Sequence, residues 1–228
     1  MSEGERKIVD TRGKFTQVVK DGRKLNDAEW TGGRILLSNK RLVLAGNSGK
    51  RTVPLSKIRS LEGRTDVNQL VAKVSGYVSL QLTTNDVLLV SAEDSESFER
   101  MLYRALLDRK VILARHPAVE GGVVTDAEWE KARLKIEENA VALAVADGSF
   151  VEIELDDIGS METNERSVNE EKQQVIEVEH SEEGTSVQTY ISGSGRRCAI
   201  LESLLRKGES QSEIGVDLSE RQNEVLMA

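Results

Sequence analysis

An internal repeat constrains the fold of this 228-residue chain more than any other feature of its sequence. The tetrapeptide Asp-Ala-Glu-Trp at 27–30 recurs at 126–129, an offset of 99 residues. Downstream, after a one-residue slip, four apolar positions of each copy stay in register: Val53, Leu55, Ile58 and Leu61 over Ile153, Leu155, Ile158 and Met161. This period exceeds the roughly 20 to 50 residues of solenoid units. Each copy is therefore expected to be a small domain with its own core.

Each copy begins with strand patterns and ends with a helix pattern. Apolar residues alternate through 35–44 and 77–82, which predicts short antiparallel strands joined by polar turns. Each copy then carries an apolar stripe at helical spacing: Phe98, Met101, Leu102, Ala105 and Leu106, and later Ile200, Leu201, Leu204 and Leu205. Ser95 is the predicted N-cap of the first helix and Gly208 the predicted stop of the second. The predicted fold class is α+β, with two bent antiparallel sheets, each closed by a C-terminal helix.

This layout resembles a pleckstrin-homology-like domain, also called GRAM-like. The resemblance is carried by residues 31–45 and by 53–58, Val-Pro-Leu-Ser-Lys-Ile, which match the strand-turn-strand of that superfamily. The expected domains are 1–110, 111–208, and 209–228 as a linker and the start of a truncated helical, winged-helix-like domain. A capping box at Ser219 marks the start of that last helix. Trp30 and Trp129 are expected to close their own cores.

Charge is divided unequally between the copies. Residues 1–110 carry 20 Lys and Arg against 14 Asp and Glu, whereas 111–228 carry 11 against 25. The basic segment, residues 34–64, has Glu62 as its single acid and eight cations as candidate partner-binding residues: Arg34, Lys40, Arg41, Lys50, Arg51, Lys57, Arg59 and Arg64. Such asymmetry bears on partners rather than on fold.

Three interpretations of the basic segment stay open at this point: docking of an acidic protein, an ordinary solvated face, or binding of anionic lipid. The first is preferred, because stable membrane attachment usually requires a second anchoring signal. Nucleic acid is disfavoured by the net charge of -8 and the 4% aromatic content. A membrane span is not expected, and the absence of a signal-like start favours the cytoplasm.

The acidic segment, residues 162–174, has hardly any apolar residues and is expected to be a mobile loop between strands. A sharper hypothesis is that it meets the basic segment of a neighbouring copy, within the chain or across a dimer.

No catalytic or metal-binding constellation stands out. Ser194 lies in a Ser-Gly-Ser-Gly turn without the context of a hydrolase elbow, and the glycine pairs match no phosphate loop. Cys198 is expected to be a buried structural thiol, and His116 and His180 lie far apart in sequence. The expectation is a protein that is not an enzyme and has no cofactor.

The run Trp30-Thr-Gly-Gly-Arg-Ile-Leu-Leu-Ser-Asn-Lys-Arg-Leu-Val-Leu and the later stretch Ser192-Gly-Ser-Gly-Arg-Arg-Cys-Ala-Ile-Leu-Glu-Ser-Leu-Leu-Arg resemble the CheF family of archaeal taxis proteins. The resemblance covers nearly the whole chain. It implies a homodimeric adaptor between the phosphorylated response regulator CheY and the accessory Fla proteins of the archaellum motor, serving chemotaxis and phototaxis. Two alternatives remain: a peripheral lipid-binding module and a winged-helix DNA-binding regulator.

Overall fold

A computed structural model describes residues 4–47, 49–62, 76–146 and 148–226, with the side chains of these ranges described as far as Ser210 except that of Glu62. The chain divides into two compact units, Met1–Leu106 and Leu107–Ala228. Each unit is built on an antiparallel sheet that a helix follows in the chain, so the predicted α+β class is confirmed.

Over its described residues, the first unit contains eight strands and then a helix. The strands are β1 Lys7–Lys20, β2 Arg23–Lys24, β3 Thr31–Ser38, β4 Arg41–Gly46, β5 Gly49–Pro54, β6 Ile58–Glu62, β7 Val78–Leu82 and β8 Val87–Ala92, and the helix is α1 Ser95–Leu107. The strand order is β5-β4-β3-β1-β8-β7-β6, and β2 pairs with β1. A 3-10 turn, Leu55–Lys57, joins the two end strands.

The second unit repeats this topology. Its strands are β9 Val111–Glu120, β10 Val123–Val124, β11 Glu130–Ile136, β12 Ala140–Val145, β13 Phe150–Glu154, β14 Ser160–Val168, β15 Glu171–Glu182 and β16 Thr185–Ser192, followed by α2 Gly195–Leu226. The order β13-β12-β11-β9-β16-β15-β14 confirms the duplication. The slip is also confirmed, because Leu42 pairs with Val53 whereas the equivalent Val141 pairs with Ile153.

Burial follows the predicted periods. Strands bury alternate residues, such as Ile35 and Leu37 on β3, while α1 buries Phe98, Leu102 and Leu106. The two tryptophans are half-buried on clusters within their own units, as predicted. Trp30 packs against Val18 and Leu89, and Trp129 packs against a cluster of Ala118, Val168, Val175 and Tyr190.

The N-cap predicted at Ser95 is wrong by one residue. The backbone N of Ser97 donates to Oδ1 of Asp94 at 3.0 Å, which is the capping contact. The Ser95 hydroxyl instead donates to the carbonyl of Gly76 at 2.9 Å. Asp and Ser are equally good caps, so adjacent candidates cannot be ranked from sequence.

The stop predicted at Gly208 is also wrong, because α2 continues through it to Leu226. The separate helix start predicted at Ser219 therefore lies inside α2. A Cβ placed on Gly208 would lie 2.5 Å from the carbonyl oxygen of Leu155. The glycine is thus explained by close approach of the helix to the 3-10 turn Leu155–Asp157, not by a left-handed cap.

The mobile loop predicted for residues 162–174 is wrong as well. These residues form a hairpin in which β14 and β15 pair along their length. Asn169 and Glu170 both have positive φ, 49° and 72°. This is the conformation of the two central residues in tight hairpin turns whose twist matches that of the flanking strands. Buried Met161 and Val168 hold the two ends of β14, so few apolar residues were needed to fix it.

Candidate functional site

The structure distributes the predicted partner-binding cations over the first sheet. Arg34 lies on β3, Lys40 in the turn before β4, Arg41 at the first position of β4, and Lys50 and Arg51 on β5. Lys57 and Arg59 belong to the 3-10 turn and β6, at the opposite end of the strand order. Arg64 lies outside the described residues.

Strand pairing aligns two of the predicted cations, Arg34 and Lys50, with Arg12, a cation outside residues 34–64. Pairing aligns Arg12 of β1 with Arg34, Arg34 with Ala45, and Ala45 with Lys50. Directly paired residues point to the same face, and the three charged ones are exposed. We call this set, Arg12, Arg34, Ala45 and Lys50, the cationic row. Lys14 lies two residues beyond Arg12 on that face. The missed signal was the period-two spacing of charge in β1, which lies outside residues 34–64.

One carboxylate partly neutralises the cationic row. Asp10 accepts from Nε and Nη2 of Arg34 at 2.7 and 2.8 Å and from Nζ of Lys7 at 2.8 Å. These hydrogen bonds, from Arg34 first and then Lys7, hold the pKa of Asp10 well below its usual range. With residues of the described ranges, Arg12, Lys14 and Lys50 form no ion pair. Like charges paired across strands destabilise a sheet, so the row favours an anionic partner.

The middle of the row borders an open depression of about 980 Å³. Its lining comes from β1, β3 and the end of β8: Asp10, Thr11, Arg12, Gly13, Gly33, Arg34 and Glu93. The depression is therefore a place where a partner's surface can approach the guanidinium groups.

Two other predicted cations have partners inside the first unit. Arg41 donates through Nε and Nη2 to Glu5 at 2.8 and 2.9 Å, and the Glu5 side chain is 2% exposed. Arg51 pairs with Asp86 at 2.9 Å. Loss of Arg41 would leave the buried Glu5 carboxylate without this partner, which is costly, so Arg41 in particular serves the fold.

The second unit presents different chemistry at the equivalent positions. The aligned residues are Val111, Arg133, Ala144 and Phe150, of which Val111 is 40% and Phe150 69% exposed. Beside them, Glu152 and Glu154 of β13 help to line an acidic depression of about 360 Å³ together with Glu137 and Glu138.

The acidic hairpin contains one strong ion pair. Arg166 donates to both oxygens of Glu177, at 2.6 and 2.7 Å, and stacks over the ring of Tyr190, 4.7 Å from its centre. Burial by itself would raise the pKa of Glu177, but the hydrogen bonds from Arg166 and Asn164 outweigh it and the pKa is lowered.

The two histidines meet although they are distant in sequence. His116 Nδ1 and His180 Nε2 each lie 2.8 Å from the hydroxyl of Thr189, and His116 Nε2 lies 3.0 Å from Glu182. The Nδ1 atom of His180, which is 3% exposed, has no hydrogen-bond partner among the described residues. Burial lowers the pKa of His180. Nothing in the spacing of the two histidines signals this contact; it follows from the pairing of β16 with β9 and β15.

Other chemistry-bearing residues stay apart. Cys198 is buried, and burial raises the pKa of its thiol. Within the described ranges no three His, Cys, Asp or Glu side chains are grouped so that they could hold a metal ion. Neither helix, over its described part, combines the length and hydropathy that crossing a bilayer requires.

Fold and surface together define a duplicated antiparallel-sheet protein whose two copies carry opposite charge. The sequence profile of the family described as archaeal chemotaxis signal transduction system protein F, CheF-arch, matches residues 7–211. The chain therefore belongs to this family, and the resemblance found in its sequence is confirmed.

Two relatives from Halobacterium salinarum match most of the chain. Taxis protein CheF1 is 54% identical over 230 residues, which cover 100% of this chain and 79% of CheF1. Taxis protein CheF2 is 26% identical over 180 residues, 76% of this chain and 62% of CheF2. Among solved structures, the C-terminal domain of an unknown protein from Leishmania infantum overlaps 45% of this chain and 85% of its own, with 8% identity and a TM-score of 0.35.

Proposed function

We propose that this chain is a cytoplasmic taxis adaptor that binds the phosphorylated response regulator CheY and transmits its signal to the accessory Fla proteins of the archaellum motor. Membership of a chemotaxis signalling family supports the pathway. The observation that carries the docking role is the cationic row, three exposed cations aligned across four strands of the first sheet. A phosphorylated, acidic partner gains charge-assisted contacts on such a surface.

The duplication supports an adaptor in particular. An adaptor needs at least two surfaces that distinguish two partners, and specificity follows from surfaces that reject each other's ligands. The cationic row favours acidic partners, whereas the equivalent positions of the second unit are flanked by exposed Val111 and Phe150 and by acidic β13. We interpret each unit as a pleckstrin-homology-like domain that has been adapted for protein docking, in a homodimer.

The proposed mechanism is a population shift. Phosphorylated regulator binds one arrangement of the adaptor better than the other and thereby biases the motor. A ligand of equal affinity for both arrangements would shift nothing, so the signal depends on differential binding.

The test is capture of phosphorylated and unphosphorylated regulator by the full chain, with two matched double variants. Arg12→Glu with Lys50→Glu reverses the row, while Lys57→Glu with Arg59→Glu makes the same charge change at the other end of the strand order. We expect the first variant to weaken capture of the phosphorylated regulator by about tenfold, from two lost ion pairs, and the second by less than about threefold.

Equal capture of both forms of the regulator by the unmodified chain would contradict the switching mechanism. Equal losses in the two double variants would show that net charge, and not the cationic row, governs docking. Flotation of the chain with vesicles of anionic lipid at physiological salt would favour the lipid-binding alternative instead.

A further inference from the structure

The cationic row ends at an unpaired strand edge. In the strand order, β5 is an end strand, and no described strand pairs with its outer side. We propose that this edge binds an extended acidic segment of a partner protein as an added strand. The inference rests on the proposed function as a docking protein and specifies the mode of docking, β-strand addition.

The backbone of β5 is oriented for such pairing. Pro54 has no N–H, and the N of Leu55 donates to the carbonyl of Lys40 at 2.9 Å, so the pair of Arg41 and Pro54 is of the non-hydrogen-bonded type. The two types of pair alternate along an antiparallel ladder, so the pairs that Thr52 and Lys50 form with β4 are also of the non-hydrogen-bonded type. Their N–H and C=O groups therefore point away from β4, towards the free edge.

The exposed face of β5 selects acidic side chains. Lys50, Thr52 and Pro54 are exposed, and the row continues from Lys50 to Arg34 and Arg12, about 14 Å across three strand spacings. A carboxylate on the added strand opposite Lys50 would form a cross-strand ion pair, whereas a lysine there would be repelled. Charge complementarity thus identifies the occupant as acidic.

The other face of β5 selects apolar side chains between the acidic ones. Arg51 points to that face and lines a cavity of about 380 Å³. Five apolar side chains contribute to its lining: Phe15, Leu25, Ala28, Leu44 and Leu88. Asp27 and Glu29 line it as well, so an acidic side chain on this face would meet like charges. Successive residues of an added strand face opposite sides, so the segment that fits alternates acidic and apolar residues.

The corresponding edge of the second unit excludes the same ligand. There β13 is the end strand, and Glu152 and Glu154 take the places of Thr52 and Pro54. An acidic segment would meet like charges on β13, which disfavour pairing. The two edges therefore provide a built-in comparison within one chain.

The test uses a fluorescent nine-residue peptide that alternates Val and Glu, with a Val–Lys peptide as the charge control, and the full-length chain. Thr52→Pro removes an outward N–H and blocks the edge without removing a bond to β4, while Thr52→Ala keeps the N–H. We expect Thr52→Pro to raise the Kd for the Val–Glu peptide by about tenfold and Thr52→Ala by less than about twofold. Glu152→Pro, the matched change on β13, should leave the Kd unchanged.

Hydrogen exchange on the unmodified chain gives a readout that does not depend on the folding of a variant. The Val–Glu peptide should protect the amides of Lys50 and Thr52, while the Val–Lys peptide should not. Equal binding by Thr52→Pro and Thr52→Ala, or no protection of these two amides at saturating peptide, would overturn strand addition. If Thr52→Pro still captures phosphorylated regulator normally, strand addition fails while the adaptor function stands; if no regulator is captured at all, the adaptor function fails independently of the peptide result.

Discussion

The two units differ in chemistry at positions that their matching strand order makes equivalent. The first carries Arg12, Arg34, Ala45 and Lys50 in one row, and the second carries Val111, Arg133, Ala144 and Phe150 in the same four places. One cation and one alanine are retained, and two cations are exchanged for exposed apolar residues. Duplication therefore preserved the ladder while its exposed face diverged. The same strand pairing can therefore present different surfaces to different partners, since function depends on sites carried on a common fold.

The largest expected effect lies on the opposite face of the same strands. Gly13, Gly33, Gly46 and Gly49 form a paired row in the first unit, where the second has Ile112, Ala132 and Val145 at the first three places. A Cβ on Gly33 would lie 2.1 Å from the carbonyl oxygen of Ala45. We expect Gly33→Ala to lower the free energy of unfolding of the first unit by about 3 kcal/mol, because backbone must move. Urea titration measures this loss.

Gly32→Ala is the matched control for that substitution. A Cβ on the neighbouring Gly32 would have no atom of the described residues within 4 Å, so alanine fits there. The free energy of unfolding of this variant should change by less than about 0.5 kcal/mol. Similar losses in both variants would show that the strand needs glycine for some reason other than close approach.

The second prediction concerns a double variant in which two cations of the cationic row are replaced by the residues at the equivalent positions of the second unit. Arg12→Val with Lys50→Phe gives the first unit the residues of the second, and we expect capture of an acidic partner to fall about tenfold. Because all four positions are exposed or half-buried, the unfolding midpoint should stay close to that of the unmodified chain. Binding measured at two salt concentrations checks the electrostatic origin, since the unmodified chain should lose more affinity in salt than the exchanged variant, which keeps Arg34.

The same comparison explains what could be predicted from sequence. The repeat, the period-two strands and the helical stripes predicted the class and the slip correctly, because they are imposed by burial. The cationic row could not be read from residues 34–64 alone, since Arg12 reaches Arg34 only through pairing of β1 with β3. Gly208 was misassigned because a glycine needed for close approach and one needed for a helix stop look alike in sequence.

The third prediction uses the histidines, both of which belong to the second unit. Burial lowers the pKa of His180 from its ordinary value of 6.5, so below that pH the unfolded chain binds more protons than the folded one. The second unit should therefore lose stability as the pH falls below 6.5, by at most about 1.4 kcal/mol per pH unit for this group. His116, Glu182 and Asp157 are the other charged or titratable groups near His180.

Unfolding measured from pH 7.5 to 5.5 tests this, with His180→Gln as the variant that keeps a donor near Thr189 but does not titrate. The pH dependence should shrink in the variant. Exchange protection of α1 amides in the first unit should be the same in both proteins. An unchanged slope in His180→Gln would assign the acid sensitivity to other groups.

The smallest expected effect concerns the helices, where the units diverge after their shared stripes. Helix α1 ends at Leu107, and Arg109 adopts a positive φ of 61°, whereas 99 residues later Gly208 remains helical in α2. Gly208→Ala would gain about 1 kcal/mol of helix propensity but would place a Cβ 2.5 Å from the Leu155 carbonyl oxygen, at an overpacking cost of about 2 kcal/mol. We expect a net loss of about 1 kcal/mol in urea unfolding.

Ser210→Ala is the control for the expected loss of stability in Gly208→Ala. Ser210 is exposed on the same helix, two residues further on, and its hydroxyl donates to the Arg206 carbonyl at 3.0 Å. Alanine there should stabilise the helix by a few tenths of a kcal/mol, about the difference in propensity. A gain from Gly208→Ala equal to or larger than that from Ser210→Ala would mean that the helix can move away from Leu155, and that close approach does not explain why α2 has glycine at this position.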